Sequence, residues 1–112
     1  MVSLSGFSTL KLHKEFQSIY KKGKNAHSNS VVLFFLPQNE IHSVGFTATK
    51  KLGNAVKRNR AKRRMRALFC EFSPSLQDGT YIFVAKQPLI DAPYEKLREE
   101  FRKVLRYAKA LK

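Results

Sequence analysis

The sequence is poor in cysteine and has no long hydrophobic run. Its 112 residues include a single cysteine, Cys70, so an internal disulfide is excluded and a reducing compartment is favoured. Phe69 and Phe72 lie close to this cysteine, which indicates a core or near-core position rather than a nucleophile. The amino-terminal stretch lacks the apolar segment of a signal peptide, and no apolar run is long enough to cross a bilayer. We therefore expect one domain over residues 1–112, located in the cytoplasm and without membrane attachment.

Acidic residues are also scarce. The chain has 8 Asp and Glu residues against 22 Lys and Arg residues, which gives a formal net charge of +14. The carboxylates show no metal-ligand motif, and the three histidines fall on separate predicted elements without zinc spacing to the cysteine. The sequence therefore predicts no catalytic residue and no metal site in the polypeptide. Its charge favours nucleic acid over a membrane surface as the partner.

A dense run of basic residues occupies the middle of the chain. No acidic residue lies between Glu40 and Glu71, whereas nine of the 22 basic residues lie between Lys50 and Arg66. Like charges four residues apart destabilise a helix, and nothing within the run compensates them. A partner that supplies phosphates would relieve this repulsion, so the run predicts a polyanion-binding helix.

Helical periodicity divides this run into two faces. Gly53-Asn54 indicates a turn followed by a helix N-cap, so we expect the helix to begin near Ala55 with its positive dipole end favouring an anion. One face is apolar and should dock on the core, and it carries Ala61, Met65, Leu68, Phe69 and Phe72. The other face should stay free to bind, and it carries Asn59, Lys62, Arg63 and Arg66, with Arg60 and Arg64 on the flank beyond.

The rest of the chain predicts a small sheet covered by helices. Apolar residues at helical spacing indicate a first helix between Thr9 and Gly23 and a last helix that opens at Asp91 and Pro93. Runs rich in β-branched and aromatic residues predict strands over residues 30–36, 43–49 and 80–85, with a further short strand over 24–29 as an alternative. The basic helix then connects two of these strands, and general statistics make such a βαβ crossover right-handed.

Together these segments resemble a known family. The run KKLGNAVKRNRAKRRMR of this chain, with its Arg58-Asn59-Arg60 core, resembles the signature of the bacterial ribonuclease P protein subunit. Further segments follow the family's order and spacing, namely KEFQSIYKKGK, VVLFFL, VGFTATKK, YIFVAK and the helix from Tyr94 to Leu105. The resemblance implies an α/β (α+β) two-layer sandwich, similar to the ribosomal protein S5 domain 2-like fold, with a small mixed four-stranded sheet in the order αβββαβα. It also implies a left-handed βαβ crossover, in place of the right-handed one that general statistics favour.

The resemblance also implies a function. Members of the family assist a large RNA subunit that removes the 5′ leader of precursor tRNA in a reaction dependent on Mg²⁺, which is held mainly by RNA and substrate. The partners implied are the ribonuclease P RNA subunit and the single-stranded leader, with no obligate protein partner. The residues that would bind RNA are Lys50, Lys51, Arg58, Asn59, Arg60, Lys62, Arg63 and Arg66. The residues that would bind the leader, in a cleft between the first helix and the sheet, are Phe16, Tyr20 and Phe34.

Two alternatives stay open at the level of sequence. Phe16 and Tyr20 lie four residues apart, a spacing that usually belongs to a hydrophobic core rather than to a binding cleft. A structural RNA-binding protein of the ribosomal type would share the charge and the size. The identity of the RNA that copurifies with the chain would distinguish a ribosomal-type protein from a ribonuclease P subunit.

Overall fold

The computed structural model describes residues 6–10 and 13–112, which form a five-stranded sheet and three α-helices. The strands are β1 (Ser8–Thr9), β2 (Lys24–His27), β3 (Val31–Pro37), β4 (His42–Thr47) and β5 (Gly79–Ala85). The helices are α1 (His13–Lys22), α2 (Ala55–Phe72) and α3 (Tyr94–Tyr107), and short 3₁₀ turns lie at Lys50–Leu52, Ser73–Ser75 and Gln87–Leu89. No helix in this part of the chain is long and apolar enough to cross a membrane.

The sheet is mixed and its strands follow the order β1-β4-β5-β3-β2. Strand β3 is antiparallel to β2 and β5, whereas β4 is parallel to β5 and β1. Because α2 connects the adjacent parallel strands β4 and β5, the predicted βαβ crossover is confirmed. The register places Gly45, Ile82 and Phe34 side by side across β4, β5 and β3.

One detail of the predicted fold is wrong, because the described residues form five strands rather than four. The additional strand is β1, whose two residues pair with Ser43 and Val44 of β4. Ser8 and Thr9 are exposed and lack the apolar alternation of a strand, so only their distant partner defines them. Thr9 therefore does not start the first helix, which is described from His13 onwards, while residues 11–12 of the predicted helix lie outside the described residues. The left hand of the crossover stays a prediction from the resemblance.

The apolar face of α2 packs on the sheet as predicted. The Phe83 ring of β5 lies 5.7 Å from the Phe69 ring of α2 and 4.8 Å from the Phe101 ring of α3, so both helices cover the same face of the sheet. Burying one such side chain contributes roughly 1.5–3 kcal/mol to stability. Of the five residues predicted for this face, Phe72 is half-buried and four are buried, namely Ala61, Met65, Leu68 and Phe69.

The opposite face of the sheet is covered by α1 alone among the described helices. Side chains alternate along β3, so Leu33 and Phe35 enter the main core while Phe34 points to the opposite face. Helix α1 packs there against β3 and β5, but it is only 10 residues long. Phe34 and Val84 consequently stay partly exposed. A short helix over a wide sheet thus leaves an open cleft.

Candidate nucleic-acid interface

Helix α2 begins with a well-formed cap and a positive amino terminus. The Asn54 side chain accepts a hydrogen bond of 3.0 Å from the backbone N–H of Lys57, which confirms the predicted N-cap. No acidic residue lies in the first turn, so only cations surround the positive end of the helix dipole. The start of α2 therefore attracts anions through both its dipole and its side chains.

We call the residues Asn59, Lys62, Arg63 and Arg66 the basic face of α2. Asn59 and Arg63 are exposed, while Lys62 and Arg66 are half-buried along their stems. The Arg66 guanidinium lies 5.8 Å from the centre of the Phe46 ring on β4, which supports its position without neutralising its charge. No carboxylate in the described part of the chain forms a salt bridge with these cations. The basic face is thus an uncompensated positive surface on a rigid helix.

Arg64 is not part of this binding surface, because it is buried against the connection between β5 and α3. Its side chain is only 9% exposed. Its guanidinium donates hydrogen bonds to the backbone carbonyls of Leu89, Ile90 and Ala92 at 2.8, 2.7 and 2.5 Å. The Tyr94 ring centre lies 4.7 Å from its Cζ atom. We call these three carbonyls the carbonyl cradle. Arg64 joins α2 to the start of α3 rather than contacting a ligand.

Arg60 is shared between the cradle and solvent. Its Nε donates a 2.8 Å hydrogen bond to the Ile90 carbonyl, the same oxygen that Arg64 reaches. Despite this hydrogen bond, Arg60 is exposed to solvent. The bond fixes one edge of its guanidinium, which pre-orients a donor pair for a phosphate. Helical periodicity placed Arg60 and Arg64 on the flank of the basic face of α2. It gave no signal that backbone carbonyls in residues 86–93 would accept their hydrogen bonds.

The other cations predicted to bind RNA precede or begin α2. Lys50 and Lys51 are exposed in the 3₁₀ turn that follows β4. Arg58 is half-buried, and its buried Nε has no hydrogen-bond partner among the described residues. A guanidinium that is already partly desolvated and unpaired gains more from an incoming phosphate than a fully hydrated one. These side chains extend the positive surface from the basic face towards the end of β4.

The three aromatic residues predicted to bind the leader come together between α1 and the sheet. The Tyr20 ring lies 4.8 Å from the Phe34 ring and 6.4 Å from the Phe16 ring. All three side chains are partly exposed, whereas Ile19 of the same helix is buried. We call Phe16, Tyr20 and Phe34 the aromatic cleft. It forms a continuous aromatic surface that solvent reaches.

Gly45 is a residue of this cleft that the sequence analysis did not single out. A β-carbon at Gly45 would lie 2.7 Å from Cζ of Phe16, so only glycine lets the ring lie directly on β4. A glycine within a strand pattern often marks such a close approach, and this signal was present in the run SVGFTAT.

The titratable groups of the described residues do not cluster as metal ligands. No three His, Cys, Asp or Glu side chains of that part of the chain converge as metal ligands. His27 and His42 lie on separate strands, and His42 contacts Asp78 at 2.6 Å. The Glu40 backbone N–H, and then His42, hold the pKa of the Asp78 carboxyl below its usual value. This group stabilises the turn before β4.

Comparison with known proteins places the chain in a family. The family model for Ribonuclease P matches residues 4–109. The ribonuclease P protein component of a Nitratiruptor species is 42% identical over 109 residues, covering 97% of this chain and 99% of that protein. A component from Streptococcus agalactiae is 34% identical and covers 88% of this chain and 92% of its own length. The structure of the Staphylococcus aureus RNase P protein superimposes with a TM-score of 0.81 at 32% identity, covering 93% of this chain and 97% of that one. The chain therefore belongs to the ribonuclease P protein family, the protein components of the ribonucleoprotein that processes precursor tRNA.

Proposed function

We propose that this chain assists a catalytic RNA subunit in the bacterial cytoplasm by two separate contacts. The basic face of α2, with Lys50, Lys51, Arg58 and Arg60, binds phosphates of the RNA subunit near the cleavage region. The aromatic cleft binds the single-stranded 5′ leader of precursor tRNA. The observation that carries the proposal is that a positive surface without salt bridges on α2 and a partly exposed aromatic cleft lie on opposite sides of the sheet.

The chemistry of the cleft suits an unpaired leader of any sequence. Every base has a π-face, so stacking on an aromatic ring contributes about 1–3 kcal/mol per base without selecting one base. Phe34 and Tyr20 meet edge to face, with their rings tilted by 72°, so the cleft offers ring surfaces in two directions. Lys50 and Lys51 are exposed in the 3₁₀ turn after β4, where they could bind phosphates of the leader as well as those of the RNA subunit.

The proposal leaves the hydrolysis to the RNA. Mg²⁺ needs several oxygen ligands in octahedral geometry, and the described carboxylates do not converge to supply them. The residues present therefore do not fit a magnesium site of their own. Mg²⁺ would be held by the RNA subunit and the substrate, and the protein would contribute positive charge and leader binding.

The ribosomal alternative shares the charge and the size, but the family match extends over residues 4–109 and favours ribonuclease P. No observation on the described residues favours a ribosomal role over this one.

The test is the affinity for precursor tRNA as a function of leader length, measured with the holoenzyme reconstituted from this chain and a bacterial ribonuclease P RNA. We expect Phe34→Ala to weaken binding about tenfold with leaders of five or more nucleotides, because it removes a stacking platform. The loss should disappear when the leader is trimmed to one or two nucleotides.

Arg63→Ala is the matched control on the other surface. Arg63 is exposed on the basic face, so its loss should weaken assembly with the RNA subunit equally at every leader length. Thermal melting must show that both variants remain folded. Equal losses for Phe34→Ala at every leader length would make the cleft assignment wrong.

A further inference from the structure

A second group of unpaired cations lies on the carboxy-terminal half of α3. Residues 101–112 contain five basic residues and no acidic residue. Arg102, Lys103 and Arg106 are exposed on this helix. Together with Tyr107 and Glu99, which lies one turn earlier on the same helix face, they line a shallow depression of about 410 Å³. We call Arg102, Lys103, Arg106 and Tyr107 the carboxy-terminal basic surface.

No salt bridge among the described residues neutralises Arg102, Lys103 or Arg106, and Glu99 is the carboxylate that shares their helix face. The salt bridge of α3 that the described residues form joins Arg98 to Glu71 at 2.7 Å and lies further towards the helix start. Glu99 makes no salt bridge within the described chain, and Glu100 instead accepts hydrogen bonds from the N–H and hydroxyl of Ser30. Arg102 and Arg106, four residues apart, therefore repel each other.

The helix dipole accounts for only part of this arrangement. A dipole rewards cations in the last turn, where α3 has Arg106. Arg102 and Lys103 lie further from the helix end, so the dipole contributes less to them. The Phe72 ring, 5.7 Å from the Arg102 guanidinium, supports that side chain while its charge faces solvent.

An exposed aromatic residue accompanies the charges. Tyr107 is 62% exposed, although a tyrosine of this size is normally more buried. The Nζ atom of Lys103 lies 5.7 Å from its ring centre, so the ring is held beside a cation. A cationic groove with an exposed ring is the combination that binds an RNA backbone and stacks one unpaired base.

The carboxy-terminal basic surface is separate from the basic face of α2. Helix α2 packs over β4 and β5, and Arg66 of its basic face lies over Phe46 of β4. Helix α3 packs over β3 and β2, and Lys103 also lines a groove with Ser28 and Asn29 at the β2 edge. The two surfaces thus face towards opposite edges of a sheet in a molecule of 36 × 29 × 28 Å.

We propose that the carboxy-terminal basic surface is a second RNA-binding site, at which Arg102, Lys103 and Arg106 bind backbone phosphates and Tyr107 stacks on an unpaired base. The inference rests on the proposed function only in taking an RNA of the holoenzyme as the partner. The occupant is a second segment of the RNA subunit, because α3 covers the same face of the sheet as α2, whereas the aromatic cleft lies on the opposite face.

The test is the salt dependence of RNA binding. The variant R102Q/K103Q/R106Q is compared with K21Q/K22Q/K24Q, which removes three exposed lysines from another region. In one arm each protein is titrated with the ribonuclease P RNA subunit alone. In the other arm the assembled holoenzyme is titrated with precursor tRNA. In the arm with the RNA subunit alone, we expect the α3 variant to reduce the magnitude of the slope of log affinity against log salt by about 2–3, at 0.7–0.9 per phosphate contact.

Tyr107→Leu tests base stacking separately from charge, because it removes an aromatic ring and leaves the net charge unchanged. It should weaken binding about tenfold in the same arm while leaving the salt slope unchanged. All substituted residues are exposed, so a thermal melt should show unchanged folding. A slope that changes only in the arm with precursor tRNA would overturn the RNA subunit as the occupant.

A slope equal to that of the lysine control in both arms would overturn the second site. Neutralising the basic face of α2 in parallel keeps this result distinct from failure of the proposed function. If the α2 variant loses slope and the α3 variant does not, the proposed function stands and the second site is refuted.

Discussion

Replacing Arg64 by leucine should destabilise the protein without removing an RNA contact. Arg64 donates to three backbone carbonyls, those of Leu89, Ile90 and Ala92. In the variant, Ile90 keeps the bond from Arg60, so two carbonyls lose their arginine donor. Leaving a buried acceptor unsatisfied costs about 1–3 kcal/mol, and partial hydration at the loop reduces the total to about 3 kcal/mol. At about 4 °C per kcal/mol for a domain of this size, Tm should fall by roughly 12 °C.

The neighbouring residue gives the control for this prediction. Arg63 is exposed and makes no bond to the carbonyl cradle, so Arg63→Leu should leave Tm within about 2 °C of the wild type. RNA affinity is then measured at a temperature at which both variants are folded. Arg63→Leu should reduce the magnitude of the log–log salt slope of RNA binding by the amount expected for about one phosphate contact, whereas Arg64→Leu should leave the slope unchanged. An Arg64→Leu protein that melts like the wild type but binds RNA as weakly as Arg63→Leu would refute the structural role of this arginine.

Further predictions concern salt, acid and the strand glycine. If six to nine phosphates are neutralised, the log–log salt slope for the RNA subunit should be about −4 to −8, and a measured slope near −1 would exclude α2 as the main RNA surface. The backbone N–H of Glu40 is the main cause of the low pKa of the Asp78 carboxyl in the folded protein. The ionised carboxylate therefore stabilises the fold at pH values above the pKa that Asp78 has in the unfolded chain. This stability is lost as the pH falls through the lower pKa of the folded state. Asp78→Asn should therefore flatten the fall of Tm below about pH 4, and an unchanged acid profile would show that the carboxylate does not contribute. Gly45→Ala should displace the Phe16 ring and weaken binding of long leaders in the leader-length assay, with one-nucleotide leaders unaffected. If the Gly45→Ala variant keeps wild-type affinity at every leader length, Phe16 does not contact the leader.

The sequence was sufficient for α2 because several local signals agree there. The Asn54 cap and the buried positions 61, 65, 68 and 69 define its start and its orientation. Strands β3 and β5 were predictable for the same reason, since β-branched and aromatic residues fill both. Strand β1 was not, because two exposed residues form it only by pairing with β4, which is more than 30 positions away.

The binding surfaces show the same division between local and distant causes. The exposure of Asn59 and Arg63 follows from helical periodicity alone. The burial of Arg64 does not, because its acceptors lie 25 to 28 residues further along the chain and are backbone oxygens that carry no sequence signature. For Phe16 and Tyr20 the spacing alone favours a core position over a binding cleft. Their partial exposure depends on how much of the sheet α1 leaves uncovered.

The division of labour between protein and RNA is tested most directly by leader removal at low Mg²⁺. A bacterial ribonuclease P RNA is assayed with precursor tRNA over a series of Mg²⁺ concentrations, with and without this chain, and the RNA-free protein is assayed alone. The account predicts that the chain lowers the Mg²⁺ concentration needed for cleavage, because its cations offset repulsion between the two RNAs, and that the protein alone cleaves nothing. Leader removal by rigorously RNA-free protein, or an Mg²⁺ requirement that the chain leaves unchanged, would contradict it.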